Sequence, residues 1–183
     1  MTIRSGERRG LVTIELPVRD GLVDFLDVDD VCLVAILERH GRTGNRSLNL
    51  VQGLGLRQGA VATTVAHDSH NLLVVGRSVD DMVIAANELV ACGGGICCAC
   101  DGKILASLPL PIAGLMSPLP LEDLAPMMQK LNEALRNLGL TFHQPIGSIL
   151  GLALPVIPDY SLTDMGLVDV ERQVILPIWA DED

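Results

Sequence analysis

Apolar and polar positions along this 183-residue chain follow two periods, and the clearest signals sit in its middle. Val31 to Leu37 is a continuous apolar run of strand length, the pattern of a strand buried on both faces. Leu48 to Leu54 predicts another strand, ending in the Gly53/Gly55 pair, and Leu11 to Leu16 alternates enough for a short one. Ala60 to Ala66 is rich in Val and Thr, and Leu72 to Val75 is all branched aliphatic. The polar connection between them, His67 to Asn71, has hairpin length. Ile96 to Cys100 and Lys103 to Leu108 flank Asp101-Gly102, the strongest short hairpin signal.

Helical periods appear twice. Ser78 is a good N-cap, with Asp80 and Asp81 in the first turn, where the helix dipole favours acids. Met82, Ala85, Ala86 and Leu89 then form one buried stripe, and Gly93 to Gly95 stop the helix. A second helix is expected from about Leu121 to Leu138, with Leu121, Leu124, Met128, Leu131, Leu135 and Leu138 as its apolar stripe and Gly139 closing it. The last stretch of the chain is punctuated by Pro and Gly, with one short strand near Val170 to Leu176. Residues 1–10 read as a loose tail, 11–178 as a single domain and 179–183 as a frayed acidic end. Hairpins with helices packed on them predict an α+β fold, a mostly antiparallel layered sandwich rather than a doubly wound sheet.

Composition narrows the function. About half of the residues are apolar (49%) but only 2% are aromatic, so the core is aliphatic. Acids outnumber bases 23 to 13, a net charge of −10. The basic footprint that phosphate backbones require is absent, as are rings on which to stack bases, so nucleic acid is excluded as a partner. An anionic membrane surface also asks for basic residues. The greasy run Leu105 to Leu121 is broken by four prolines and falls short of the ~20 residues of a spanning helix. No secretory signal precedes it, and the chain is expected in the cytoplasm. A (β/α)₈ barrel typically takes about 250 residues, so none fits in this chain.

Of the five cysteines, four fall between Cys92 and Cys100. Cys97 and Cys100 have Cys-x-x-Cys spacing, but on a strand residues i and i+3 point to opposite faces and cannot grip one ion. They read as small apolar residues of a buried strand. The acidic stretch Asp20 to Asp30 lacks the glycine and alternating ligands of a calcium loop and reads as solvated. His67-Asp68-Ser69-His70-Asn71 is different, since two of the four histidines flank a carboxylate and a hydroxyl at one hairpin tip. Such a turn can hold a metal through His67, Asp68 and His70, shuttle a proton, or hydrogen-bond a purine edge. It can equally be an Asx-turn with two surface histidines.

At this hairpin the sequence resembles a known family. Gly55-Leu56-Arg57-Gln58-Gly59-Ala60, then Thr64-Val65-Ala66-His67-Asp68-Ser69-His70-Asn71 and Val74-Val75-Gly76, closely resemble the C-terminal domain of bacterial adenine deaminases. The likeness continues through Asp80-Asp81-Met82, Gly93-Gly94-Gly95, Asp101-Gly102 and Ser107 to Ser117. It ends with Ala153 to Pro158 and Leu162 to Asp169, so it covers roughly residues 30 to 170. Gln144 to Gly151 departs from the family's pattern.

The resemblance implies hydrolytic deamination of adenine to hypoxanthine and ammonia by an amidohydrolase. In that family the water is activated by manganese or iron in a (β/α)₈ barrel that precedes this domain, so no metal ligand carries over to this chain. The resemblance implies a partner barrel, in cis or as a separate chain, a homo-oligomer, and the loop His67 to Asn71 facing the active-site mouth. Met116 and Ser117 are candidate secondary contacts. The chain is then expected to be inactive alone. The other reading is a free-standing purine-binding or structural module that kept the fold without the reaction.

Overall fold

A computed structural model describes residues 2–4, 9–140 and 142–179. Its centre is an eight-stranded sheet in the order β10-β9-β7-β8-β5-β6-β1-β2. The strands are β1 (Thr2–Arg4), β2 (Gly10–Val12), β5 (Val31–Leu37), β6 (Arg46–Gln52), β7 (Ala60–Thr63), β8 (Leu72–Gly76), β9 (Gly95–Cys100) and β10 (Lys103–Pro109). Every pairing is antiparallel except β1 with β6. A short ribbon joins β3 (Val18–Arg19) to β4 (Leu22–Val23), inside and just before the acidic stretch. The α+β expectation holds, and no barrel closes among the described residues.

The central strands stand where the apolar runs place them. Val31–Leu37 is a strand end to end, and β7 and β8 form the expected hairpin. Asp101 and Gly102 both take positive φ, which a two-residue turn between β9 and β10 demands. Helix α1 (Val79–Cys92) starts on Ser78, whose Oγ accepts the Asp81 N–H at 3.2 Å, and ends on Gly93 in the left-handed region. Its Met82, Ala85 and Leu89 are buried against the sheet. The two larger side chains contribute roughly 1.5–3 kcal/mol each by burial.

Side-chain alternation divides the core. Cys32, Val34 and Ile36 face a large cluster with Val61, Val75 and Cys98. That face is covered by α2 (Leu121–Asn137), α3 (Pro145–Leu150), a 3₁₀ turn (Gly151–Ala153) and a small sheet of β11 (Tyr160–Thr163), β12 (Gly166–Asp169) and β13 (Val174–Leu176). Ala60, Ala62, Val74, Cys97 and Ala99 face the opposite way, toward α1. Cys97 and Cys100 therefore do lie on opposite faces.

Several expectations need correction. Thr2–Arg4, inside the segment read as a loose tail, is a strand, because the free edge of β6 offers backbone donors and acceptors that three extended residues can pair. Residues 180–183 of the expected frayed end lie outside the described residues. The stripe of α2 is buried only in its C-terminal half: Leu131, Leu135 and Leu138 are buried, but Leu121 is 76% exposed. In the first turns only Leu124 and Met127 reach the core, and they are half-buried at the border of a sheet that ends at β10. The C-terminal stretch holds three strands instead of one, β11 (Tyr160–Thr163), β12 (Gly166–Asp169) and β13 (Val174–Leu176), plus the short α3. Among the described residues, no helix is long and apolar enough to cross a membrane.

Candidate functional site

The connection between β7 and β8 is a tight polar turn at one end of the sheet. Its anchor is Thr64, just past β7. The Thr64 hydroxyl donates to the Gly114 carbonyl at 2.6 Å and accepts the Gly95 N–H at 2.8 Å. The turn closes when the His70 N–H donates to the Ala66 carbonyl at 2.6 Å. His70 takes φ +50°, in the left-handed region where His is one of the tolerated residues. The Ser69 hydroxyl accepts the Asn71 N–H at 3.3 Å, the local side-chain turn that Ser favours.

The side chains sort by depth. His67, Asp68 and Ser69 are exposed, His70 is half-buried and Asn71 is buried. The His67 and His70 rings meet edge to face, with centroids 5.4 Å apart. Burial pushes the His70 pKa down, and the neighbouring His67 and Arg39 push it the same way, which favours the uncharged imidazole. Its Nδ1 and the Oδ1 of Asn71 are both buried and without a hydrogen-bond partner.

Two residues that the sequence pattern did not single out hold this turn. Arg39, just after β5, donates from Nε to the His70 carbonyl at 2.5 Å and from Nη2 to the Ala113 carbonyl at 2.7 Å. The ring Nε2 of His40 lies 2.8 Å from the Ser69 carbonyl, which makes it the donor. The loop that carries both residues is shaped by Glu38. Desolvation works against its ionisation, but backbone N–H groups of Gly44, Thr43, His40 and Arg42 outweigh it, and the Glu38 pKa is lowered. Arg39 thus clamps the His67–Asn71 turn to the segment Ala113–Gly114. A Cβ on Gly114 would stand 2.6 Å from its guanidinium, which explains a glycine there.

Met116 and Ser117 belong to that second loop but reach the turn only indirectly. Ile112 and Met116 exchange backbone hydrogen bonds at 3.0 and 3.1 Å, Met116 is 58% exposed, and the Ser117 hydroxyl accepts the Leu119 N–H. The connection between the two loops runs through Arg39 and Thr64. Beside it lies a depression of about 230 Å³ lined by Arg39, Thr64, Leu72, Leu89, Val90 and the backbone of Gly93 and Gly94. A larger cleft, about 590 Å³, stands apart, over Arg9, Phe142 and the Gln144–Ser148 stretch.

The metal reading of the turn finds no support in the geometry. Among the described residues no three His, Cys, Asp or Glu side chains stand where they could share an ion. Nor do the core cysteines Cys32, Cys97 and Cys98 offer thiolates: burial pushes the Cys32 and Cys97 thiols up to about 12 and raises that of Cys98 as well. What the turn offers is two imidazoles, an exposed carboxylate and a rigid backbone. This set can bind, orient and exchange a proton.

Comparison with known proteins adds to this geometry. Residues 9–174 match the family model described as the adenine deaminase C-terminal domain. The chain is 49% identical over 168 residues to an adenine deaminase of Oleidesulfovibrio alaskensis, which covers 91% of this chain and 30% of that protein. It is 46% identical over 166 residues to adenine deaminase 2 of Carboxydothermus hydrogenoformans, covering 90% and 29%. With an adenine deaminase of Moorella thermoacetica it shares 48% over 158 residues, 86% of this chain and 26% of the relative. The chain thus spans under a third of the length of the curated relatives it matches.

Proposed function

The chain belongs to the adenine deaminase C-terminal domain family, and from that premise we propose that it completes a hydrolytic deaminase whose reactive centre lies in a larger N-terminal part. The reaction replaces the C6–NH₂ bond of adenine by C6–O, consuming water and releasing ammonia and hypoxanthine. This chain's residues do not fit a water-activating manganese or iron ion, for want of a converging ligand set among the described residues. That ion is assigned to the missing barrel, joined in cis or supplied as a second chain. The aqueous, reducing cytoplasm suits five free cysteines.

The observation that carries the proposal is the clamped turn His67–Asn71. An exposed histidine, an exposed acid and a half-buried histidine stand on a backbone held by the adjacent Arg39 and His40 of one loop and, through Thr64, by Gly114 of a second. Such pre-organisation suits groups that must meet a substrate or the rim of its site in one fixed pose. In this reading His67 and Asp68 face the mouth of the deaminase site, while the ring of His70, edge to face with His67, orients it.

The test compares the chain alone with a chimera in which it replaces the matched 168 residues of the Oleidesulfovibrio alaskensis enzyme. The chain alone, given adenine and Mn²⁺ or Fe²⁺, is expected to form no hypoxanthine above a blank, and the chimera to form it. In the chimera, His67→Ala is expected to lower kcat/KM by at least about tenfold, the lower reach of a lost acid–base or positioning group. Robust metal-dependent deamination by the chain alone overturns the reading. An unchanged rate in His67→Ala and His70→Ala makes the turn structural.

A further inference from the structure

The α1 side of the large sheet is only partly covered. Helix α1 packs over β7, β8 and β9 and leaves β5 and β6 only partly covered, with Leu33, Ala35 and Leu50 half-buried and Leu48 exposed. Register places Leu33, Ala35 and Leu37 of β5 beside Gly76, Val74 and Leu72 of β8, hence on the α1 face. The same register sets Leu50 and Leu48 of β6 beside Leu33 and Ala35. Leu48 is 62% exposed although it sits mid-strand. Helix α1 extends the surface, because Val79, Val83 and Val90 recur on its outer flank at 55%, 53% and 72% exposure. The shared depression of Val90 with Leu72 shows that this flank turns toward β8 and β5. A surface that is apolar across two strands and a helix, with Arg46 and Arg39 only at its border, marks an interaction site.

We propose that this face docks the N-terminal, reaction-bearing part of an adenine deaminase, an inference that rests on the reading above and adds where the two parts meet. Three observations select that occupant. First, the matched relatives carry more than two thirds of their length outside the region shared with this chain, so a large body must be accommodated. Second, the family match begins at residue 9, beside β2, and β2 and β1 lie at the β6 edge of the sheet. In β1, Ile3 pairs with Val51, one residue from Leu50. The preceding polypeptide of a relative therefore enters at this edge of the sheet, two strands from β6. Third, Leu72 directly follows Asn71 and pairs with Leu37, so the apolar face abuts the clamped turn. A body seated on this face has the turn at its rim, which is where the functional reading needs it.

The test is hydroxyl-radical footprinting of the chain alone and of the chimera. Leu48, Val83 and Val90 are expected to oxidise roughly tenfold more slowly in the chimera, as residues at a water-excluding interface core do. Val174 and Ile175 of β13, also exposed, serve as controls and are expected to react equally in both. A double variant, Leu48→Glu with Val83→Glu, changes exposed positions only, so the isolated chain is expected to keep its melting temperature. In the chimera the same variant is expected to restore fast oxidation at Val90. Undiminished oxidation of the face in a chimera that deaminates adenine overturns the docking proposal and leaves the functional reading standing. Protection of the face in a chimera that does not deaminate supports docking and defeats the functional reading. Protection already present in the chain alone, with a dimer in sedimentation, assigns the face to a second copy and overturns the proposal.

Discussion

Arg39 shows how one side chain can set the geometry of two loops. Its guanidinium bonds the carbonyls of His70 and Ala113, residues 31 and 74 positions away. Charge-assisted bonds of this kind contribute more than neutral ones, and a half-buried pair lost together costs about 1–3 kcal/mol. Arg39→Ala is therefore expected to lower stability by that amount in urea unfolding. Lysine is not an equivalent, because an ammonium lacks the fork that reaches both carbonyls. His70 adds a pH term. Burial lowers its pKa below the ordinary 6.5, so the unfolded chain binds that proton more readily than the folded one. The stability concerned is whole above pH 6.5 and is lost as the pH falls through the lower, folded value. Urea midpoints measured from pH 8 to pH 5 are expected to fall below pH 6.5 in the natural chain and to fall less in His70→Gln.

At the level of elements, the triple glycine after α1 decides whether the clamp forms. Gly94 takes φ +117°, and a Cβ there would stand 2.5 Å from the Cα of Gly114 and 2.9 Å from the Thr64 hydroxyl. Gly102 also has positive φ, but nothing lies within 4 Å of its would-be Cβ. Gly102→Ala is expected to cost about 1 kcal/mol, the conformational penalty alone, and Gly94→Ala at least about 3 kcal/mol, since strain adds to collision. Equal costs in urea unfolding would disprove the close approach.

The elements legible in sequence were those whose side chains meet a core on a regular period. Strand β5, the β7–β8 hairpin, helix α1 and the Asp101-Gly102 hairpin all carry their burial in the local pattern. Strand β1 does not, because it exists by pairing with the edge of β6. Strands β11 and β12 are four residues each, too short for a period to stand out among prolines and glycines. In the site, the motif His67–Asn71 was visible as a cluster, but its clamp was not. Arg39 and His40 read locally as the polar exit of a strand, and only the pairing of β5 with β8 brings them to the turn.

The whole molecule is a sheet with unequal faces. One is sealed by two helices and a small sheet; the other has one helix and a partly exposed aliphatic flank. That asymmetry explains how an acidic chain can be so aliphatic: part of its apolar content serves a contact and not the interior. The strand between the faces carries a further consequence. Cys97 points into one core and Cys98 into the other, Cys32 joins the second, and none of the three has exposed surface. Cys92, at the end of α1, is only partly buried. The fold is thus a chemical lock with its own timer. A thiol reagent is expected to add one label at Cys92 at once and the rest only as the sheet parts, so mass spectrometry of successive adducts clocks global opening. If the buried thiols label as fast as Cys92, the lock is not closed.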